Sequence, residues 1–236
     1  MHLFAQRIVF CALFTALAVF AVGSVPSLAQ VPPTPAEVKA YAGLHAAAAR
    51  DDADDIARRI QAGEKADVRD GNGRTPLHVA AHLGHRAAAR ELLRLGADGN
   101  ALDAQRYDIV TIAAVRNDVE MLKLALAEGA SARNVTSPYD GTALIAAAHL
   151  GHAEVVRTLI AAGAPLDHVN NLGWTALIEA VILGDGGRNH TATVEALVRA
   201  GADRNIADRG GTTPLGHARS RGYADIVRLL TAPGAR

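Results

Sequence analysis

Apolar residues along this chain recur in paired clusters, the two halves of a pair parted by a glycine and each pair followed by a polar stretch. In the best-formed copy, residues 71–103, Leu77, Ala80 and Ala81 give one short helix a small apolar face. Thr75 is placed to cap that helix, Pro76 suits its first turn, and Gly84 ends it by taking a left-handed backbone conformation. The second helix of the unit is plainest at Val155, Val156, Leu159 and Ile160, an i, i+1, i+4, i+5 stripe that predicts an amphipathic helix. Gly163-Ala164 closes it, and the Gly, Asn and Asp content up to the next Thr predicts a tight turn.

Two independent landmarks share one period. Gly63, Gly96, Gly129, Gly163, Gly201 and Gly234 step by 33, 33, 34, 38 and 33 residues, and Leu44, Leu77, Val110, Leu144, Leu177 and Leu215 step by 33, 33, 34, 33 and 38. Two short helices cannot cover their own apolar face, so neighbouring units must stack, and the pattern predicts an all-α solenoid. Six units are expected, at about 35–70, 71–103, 104–136, 137–169, 170–207 and 208–236. The first keeps Leu44, Ile56 and Ile60 but carries Asp55 and Arg59 where later copies are mostly apolar, as a terminal capping unit should. The third has Arg106 where other turns have Gly, with Asp108 left to cap its first helix.

Residues 1–29 follow a different pattern. Arg7 precedes an apolar run from Ile8 to Val22, and its 15 residues fall short of a membrane span, which needs about 20. Ser27-Leu28-Ala29 then sets small residues around a larger one before Gln30, the pattern of an export signal cleaved after Ala29. An uncleaved anchor, making the protein a membrane-anchored scaffold, is the alternative. Residues 30–34 read as a linker, and Thr34-Pro35-Ala36-Glu37 opens a helix with Thr34 as cap and Glu37 reaching back to it. The expected location is outside the cytoplasm, in a bacterial periplasm, with the membrane met only during export.

At Arg74-Thr75-Pro76-Leu77-His78-Val79-Ala80, Gly84-His85, Leu92-Leu93 and Gly96-Ala97-Asp98 the sequence resembles an ankyrin repeat. The resemblance spans about residues 41–236. It implies helix pairs joined by projecting fingers, a concave face of inner helices, and a role in binding other proteins. The fourth and fifth copies begin Thr142-Ala143-Leu144-Ile145 and Thr175-Ala176-Leu177-Ile178, the third Asp108-Ile109-Val110-Thr111 and the last Thr213-Pro214-Leu215-Gly216, departures that spare the apolar spacing.

Composition narrows the chemistry. Lys+Arg and Asp+Glu are 24 each, so bulk charge gives no reason to expect nucleic acid as a partner. The single Cys, Cys11, lies in the apolar run, which removes disulfides, thiolate metal sites and a thiol nucleophile from the body of the chain. His78 and His82 stand four apart on one helix, a chelating interval, with His85 nearby, and a metal-binding or enzymatic stress protein built on them is the rival reading. The resemblance instead gives His78 a structural bond to Thr75, and neither a Glu beside a His pair nor a Gly-x-Ser-x-Gly elbow is present. Asp51, Asp52, Asp54 and Asp55 read as a solvated helix start. No cofactor, metal or catalytic residue is expected.

Only five aromatic residues follow residue 29, and three of them, Tyr107, Tyr139 and Trp174, fall in the turns between units, with Arg74 in the same row. Tyr41 and Tyr223 are expected in helices. Aromatic and Arg side chains commonly anchor interfaces, so Arg74, Tyr107, Tyr139 and Trp174 are the candidate contacts with a protein partner. His82, Arg116, His149 and Arg221, near the ends of the inner helices, are added as a polar rim. A monomer is expected, displaying this surface to a partner the sequence does not name. The insertion Asp185–His190, between the two helices of the fifth unit, is read as a tolerated loop.

Overall fold

The computed structural model describes residues 30–232. The leader reading for residues 1–29, and Gly234 of the period, lie outside the described residues. A short helix α1 (Pro35–Ala40) precedes six helix pairs: α2 (Gly43–Ala49) with α3 (Ala53–Gln61), α4 (Pro76–Leu83) with α5 (Arg86–Arg94), α6 (Ile109–Val115) with α7 (Val119–Ala127), α8 (Ala143–His149) with α9 (Ala153–Ala161), α10 (Ala176–Ile182) with α11 (Arg188–Arg199), and α12 (Pro214–Ser220) with α13 (Ala224–Thr231). The first helix of each pair packs on the first helix of the next and the second on the second, giving an inner and an outer row. In the fourth finger β1 (Val135–Thr136) pairs antiparallel with β2 (Gly141–Thr142), Val135 opposite Thr142.

The core is a continuous seam running through the stack. Leu44, Leu77, Val110, Leu144 and Leu177 are buried, while Leu215 in the last unit is only partly covered. Behind them lie buried small residues, Ala47-Ala48, Ala80-Ala81, Ala113-Ala114 and Ala147-Ala148. These methyl groups let inner helices approach closely enough for short helices to pack at interior density.

Caps follow the chemistry of the sequence. The hydroxyl of Thr75 accepts from the amide of His78, and Asp108, Thr142, Thr175 and Thr213 cap the later inner helices. Thr34 and Glu37 form a full capping box on α1. On α3, Asp55 is paired with Arg59 at 2.9 Å and Arg58 at 3.2 Å, a charged outer surface for the first unit.

Two expectations change. Tyr41 and Tyr223 sit at helix junctions, as the C-cap of α1 and the N-cap of α13. The insertion is a packed joint and not a free loop. His190, in the first turn of α11, holds Asp185 at 2.9 Å and the carbonyl of His149 in the preceding unit at 3.0 Å. The Tyr223 hydroxyl, from the following unit, donates to the Gly184 carbonyl at 2.9 Å.

Candidate protein-interaction surface

Each finger is held by one short polar side chain five residues before the helix cap. Asp70 Oδ1 accepts from the amides of Asn72 (2.8 Å) and Arg74 (2.9 Å). Asp103, Ser137, Asn170 and Asp208 repeat this arrangement, each accepting from the amides two and four residues on. Such side-chain-to-backbone bonds fix a turn locally. Fingers are also tied to one another: the Ala104 amide donates to the Asn72 carbonyl (3.0 Å), Ser137 to Arg106 (2.9 Å) and Asn171 to Tyr139 (2.9 Å). The row is therefore a rigid comb.

The expected contact residues divide by where their side chains lie. Arg74 is only 1 % exposed and so offers no open surface while residues 30–37 lie over it; its guanidinium is bound by Asp70 at 2.8 Å and Glu37 at 2.5 Å, locking α1 to the second finger. Burial works to raise the Asp70 carboxyl, but bonds from Arg74 and from the Tyr41 hydroxyl (2.8 Å) prevail and hold it at about 2. Tyr107 is likewise buried, and desolvation pushes its phenol up to about 12. His82, assigned to the rim, is buried too; desolvation above all, with the positive fields of His78, Arg74 and Arg116, lowers it to about 3. Arg74, Tyr107 and His82 thus leave the surface because close-packed neighbouring units cover them.

Tyr139 and Trp174 are half-buried on adjacent fingers, and Arg116 and Arg221 are exposed. His149 keeps its side chain 40 % exposed while facing Glu179 at 3.3 Å, and the Glu179 carboxylate, 6 % exposed, also accepts from Asn170 Nδ2 at 2.8 Å. Asn170 in turn accepts from the Trp174 amide, so His149, Glu179, Asn170 and Trp174 form one connected polar chain from inner helix to finger. Apolar side chains near these elements were missed by the sequence reading: Leu150 and Leu183 after the inner helices, and Val169 and Leu172 on the fifth finger, are 37–46 % exposed.

Both nitrogens of His78 are engaged, Nδ1 accepting from the Thr75 amide (3.1 Å) and Nε2 facing the Tyr107 carbonyl (2.9 Å). That leaves no lone pair for a metal shared with His82. Among the described residues no three His, Cys, Asp or Glu side chains converge on a metal-sized site.

The family pattern for ankyrin repeats (3 copies) matches residues 44–132 and 109–208. The chain belongs to the ankyrin repeat family. It is 32 % identical over 190 residues to the Escherichia coli K12 ankyrin repeat protein YahD, covering 80 % of this chain and 94 % of that one. An ankyrin repeat domain from Acinetobacter baumannii AYE, solved by crystallography, is 47 % identical, with a TM-score of 0.76 over 79 % of this chain and 95 % of its own. The human ASB11 ankyrin repeat domain has a TM-score of 0.67 at 25 % identity, over 83 % and 85 % of the two chains. Ankyrin repeats are protein–protein interaction modules and are generally non-enzymatic scaffolds.

Proposed function

We propose that this ankyrin repeat protein is displayed outside the cytoplasm and holds a partner protein against the fingers and inner-helix ends of its third to sixth units. Its mechanism is rigid display, without chemistry. The observation that carries the reading is the half-buried Trp174, on the finger next to that of Tyr139, both fingers fixed by hydrogen bonds to their own backbone and to each other. A side chain held in advance loses little freedom when a partner covers it, which favours affinity. His149, Arg116 and Arg221 supply polar groups around this ridge. The export pattern of residues 1–29 supports the location, and a protein acting alone as a monomer suits a stack whose first unit has a charged outer helix.

The test is Trp174→Ala. An interface anchor of this kind contributes about 2 kcal/mol or more to binding, roughly thirtyfold in affinity, whereas truncating a core aromatic costs about 3–5 kcal/mol of stability. The expected outcome is a nearly unchanged melting temperature with a large loss of partner affinity, and a milder version of the same for Tyr139→Ala. A variant that melts early and binds normally per folded molecule makes Trp174 packing between units and removes the ridge.

A further inference from the structure

Residues 30–33 lie across the second and third fingers, and both backbone groups of Val31 are engaged there. Its amide donates to Gln105 Oε1 at 3.3 Å, and its carbonyl accepts from Arg74 Nη1 at 3.4 Å. The Val31 side chain is 51 % exposed, so the contact reads main chain and not side chain. Gln30 and Pro33, on either side, are buried. We infer that the second and third fingers form a site for an extended, proline-containing peptide segment, and that the chain fills this site with its own arm.

The chemistry of both halves fits. Pro32 and Pro33 force the residue before each of them into extended backbone and have no amide of their own, and Thr34 continues extended at φ −67°, ψ 157°. Such a segment forms no internal hydrogen bonds, so its remaining amide and carbonyls are free to be read, and little entropy is lost in ordering it. On the other side, the Arg74 guanidinium cannot retreat: Nε is held by Asp70 and Nη2 by Glu37, leaving Nη1 to meet the arm. The main-chain amide of Gln105 donates to Asp103 Oδ1 at 2.9 Å, which fixes the finger that carries its side chain. The two side chains belong to neighbouring fingers and address opposite sides of one residue. An outside segment of the form X-Pro-Pro, with a free amide at X, meets the same pair once the arm departs. The site rests on the interaction-surface reading of the fingers but lies apart from the Trp174 ridge.

The probe is the blocked, fluorophore-labelled peptide Gln-Val-Pro-Pro-Thr, followed by polarisation. A tethered arm competes at an effective concentration of about a millimolar, so the unaltered protein should bind the peptide poorly. The variant V31G/P32G/P33G should bind it roughly tenfold or more tightly, and adding Gln105→Ala should weaken that binding about three- to tenfold, the effect of one lost hydrogen bond. A peptide with Pro in place of Val lacks the amide and should bind the arm variant weaker by a similar factor, a comparison that needs no further change to the protein. Adding Trp174→Ala to the arm variant should leave peptide binding alone, so failure at this site and failure of the ridge are separate results. Equal binding to unaltered protein and arm variant, no binding to either, or indifference to both Gln105 and the peptide amide overturns the inference.

Discussion

At the scale of the residue, His82 and Arg106 show what departures from the repeat cost. His82 Nε2 is buried and has no hydrogen-bond partner among the described residues. Its folded value of about 3 lies below the ordinary 6.5 because burial disfavours the charged ring. Between those values the unfolded chain binds a proton that the folded chain refuses, so stability rises with pH across that window and falls as pH drops below about 6.5. Asp70, held at about 2 against 3.8, loses its contribution in the same direction at lower pH. His82→Leu should raise the urea midpoint at pH 7 and raise it further at pH 5, flattening the pH dependence above pH 4. An equal shift at both values would place the burial effect elsewhere. Arg106 adopts a left-handed backbone, φ 65°, where the second, fifth and sixth fingers place Gly73, Gly173 and Gly211 and the fourth places Asp140 at φ 52°, and its guanidinium meets that Asp140 at 3.3 Å. That pair is about half exposed and contributes little, whereas the conformation costs about 1–2 kcal/mol. Arg106→Gly should therefore stabilise the protein by roughly 1 kcal/mol, about 2–4 °C in melting temperature.

The joint at Asp185–His190 belongs to the scale of elements. Gly186 has φ +70°, and a methyl group there would run into the Tyr223 ring of the next unit. Gly186→Ala should cost about 2–4 kcal/mol from backbone strain and overpacking together. Tyr223→Ala in the same molecule should recover part of that cost, since only the overpacking depends on the ring. Additive losses in the double variant would mean that the loop does not pack on α13. The sequence placed this element between the two helices of the fifth unit but not its contacts, because the partners of the insertion are set by stacking: His190 reaches back to His149, and Tyr223 of the next unit reaches back to Gly184. The starts of α1 and the later inner helices, by contrast, were legible. Thr34, Thr75 and Asp108 act on amides three residues away, and local chemistry of that kind is written in local sequence. The candidate surface divided the same way. Trp174 and Tyr139 could be placed on fingers from the period alone, but the burial of Arg74 depends on Glu37, 37 residues earlier, and that of His82 on the packing of the inner row.

Along the whole molecule the units are chemically unequal, and the inequality predicts where the stack opens. At three of the five boundaries a histidine ring of the later unit bonds the carbonyl at the end of the preceding inner helix: His85 to Ala48 (3.0 Å), His152 to Ala114 (2.9 Å) and His190 to His149 (3.0 Å). Tyr223 serves the last boundary through Gly184. Between the second and third units the corresponding turn carries Asp118, which has no donor to offer a carbonyl and instead receives the half-exposed Arg86 at 2.7 Å. The same unit holds two non-glycine residues in left-handed backbone, Arg106 at φ 65° and Asn117 at φ 55°, a number the fourth unit matches with Ser137 and Asp140; what the third adds is an outer helix that fills the core with Met121 and Ala125. Stability in a solenoid is close to a sum of unit and neighbour terms, so the unit with the weakest terms opens first. Amide hydrogen exchange should be faster in residues 104–136 than in 142–200 under native conditions, and Arg106→Gly should slow it in the third unit more than elsewhere. Uniform exchange along the stack, or earliest opening at the sixth unit with the third protected, would show that packing, together with the His78–Tyr107 bond across the same boundary, compensates for the link missing at the end of the inner helix.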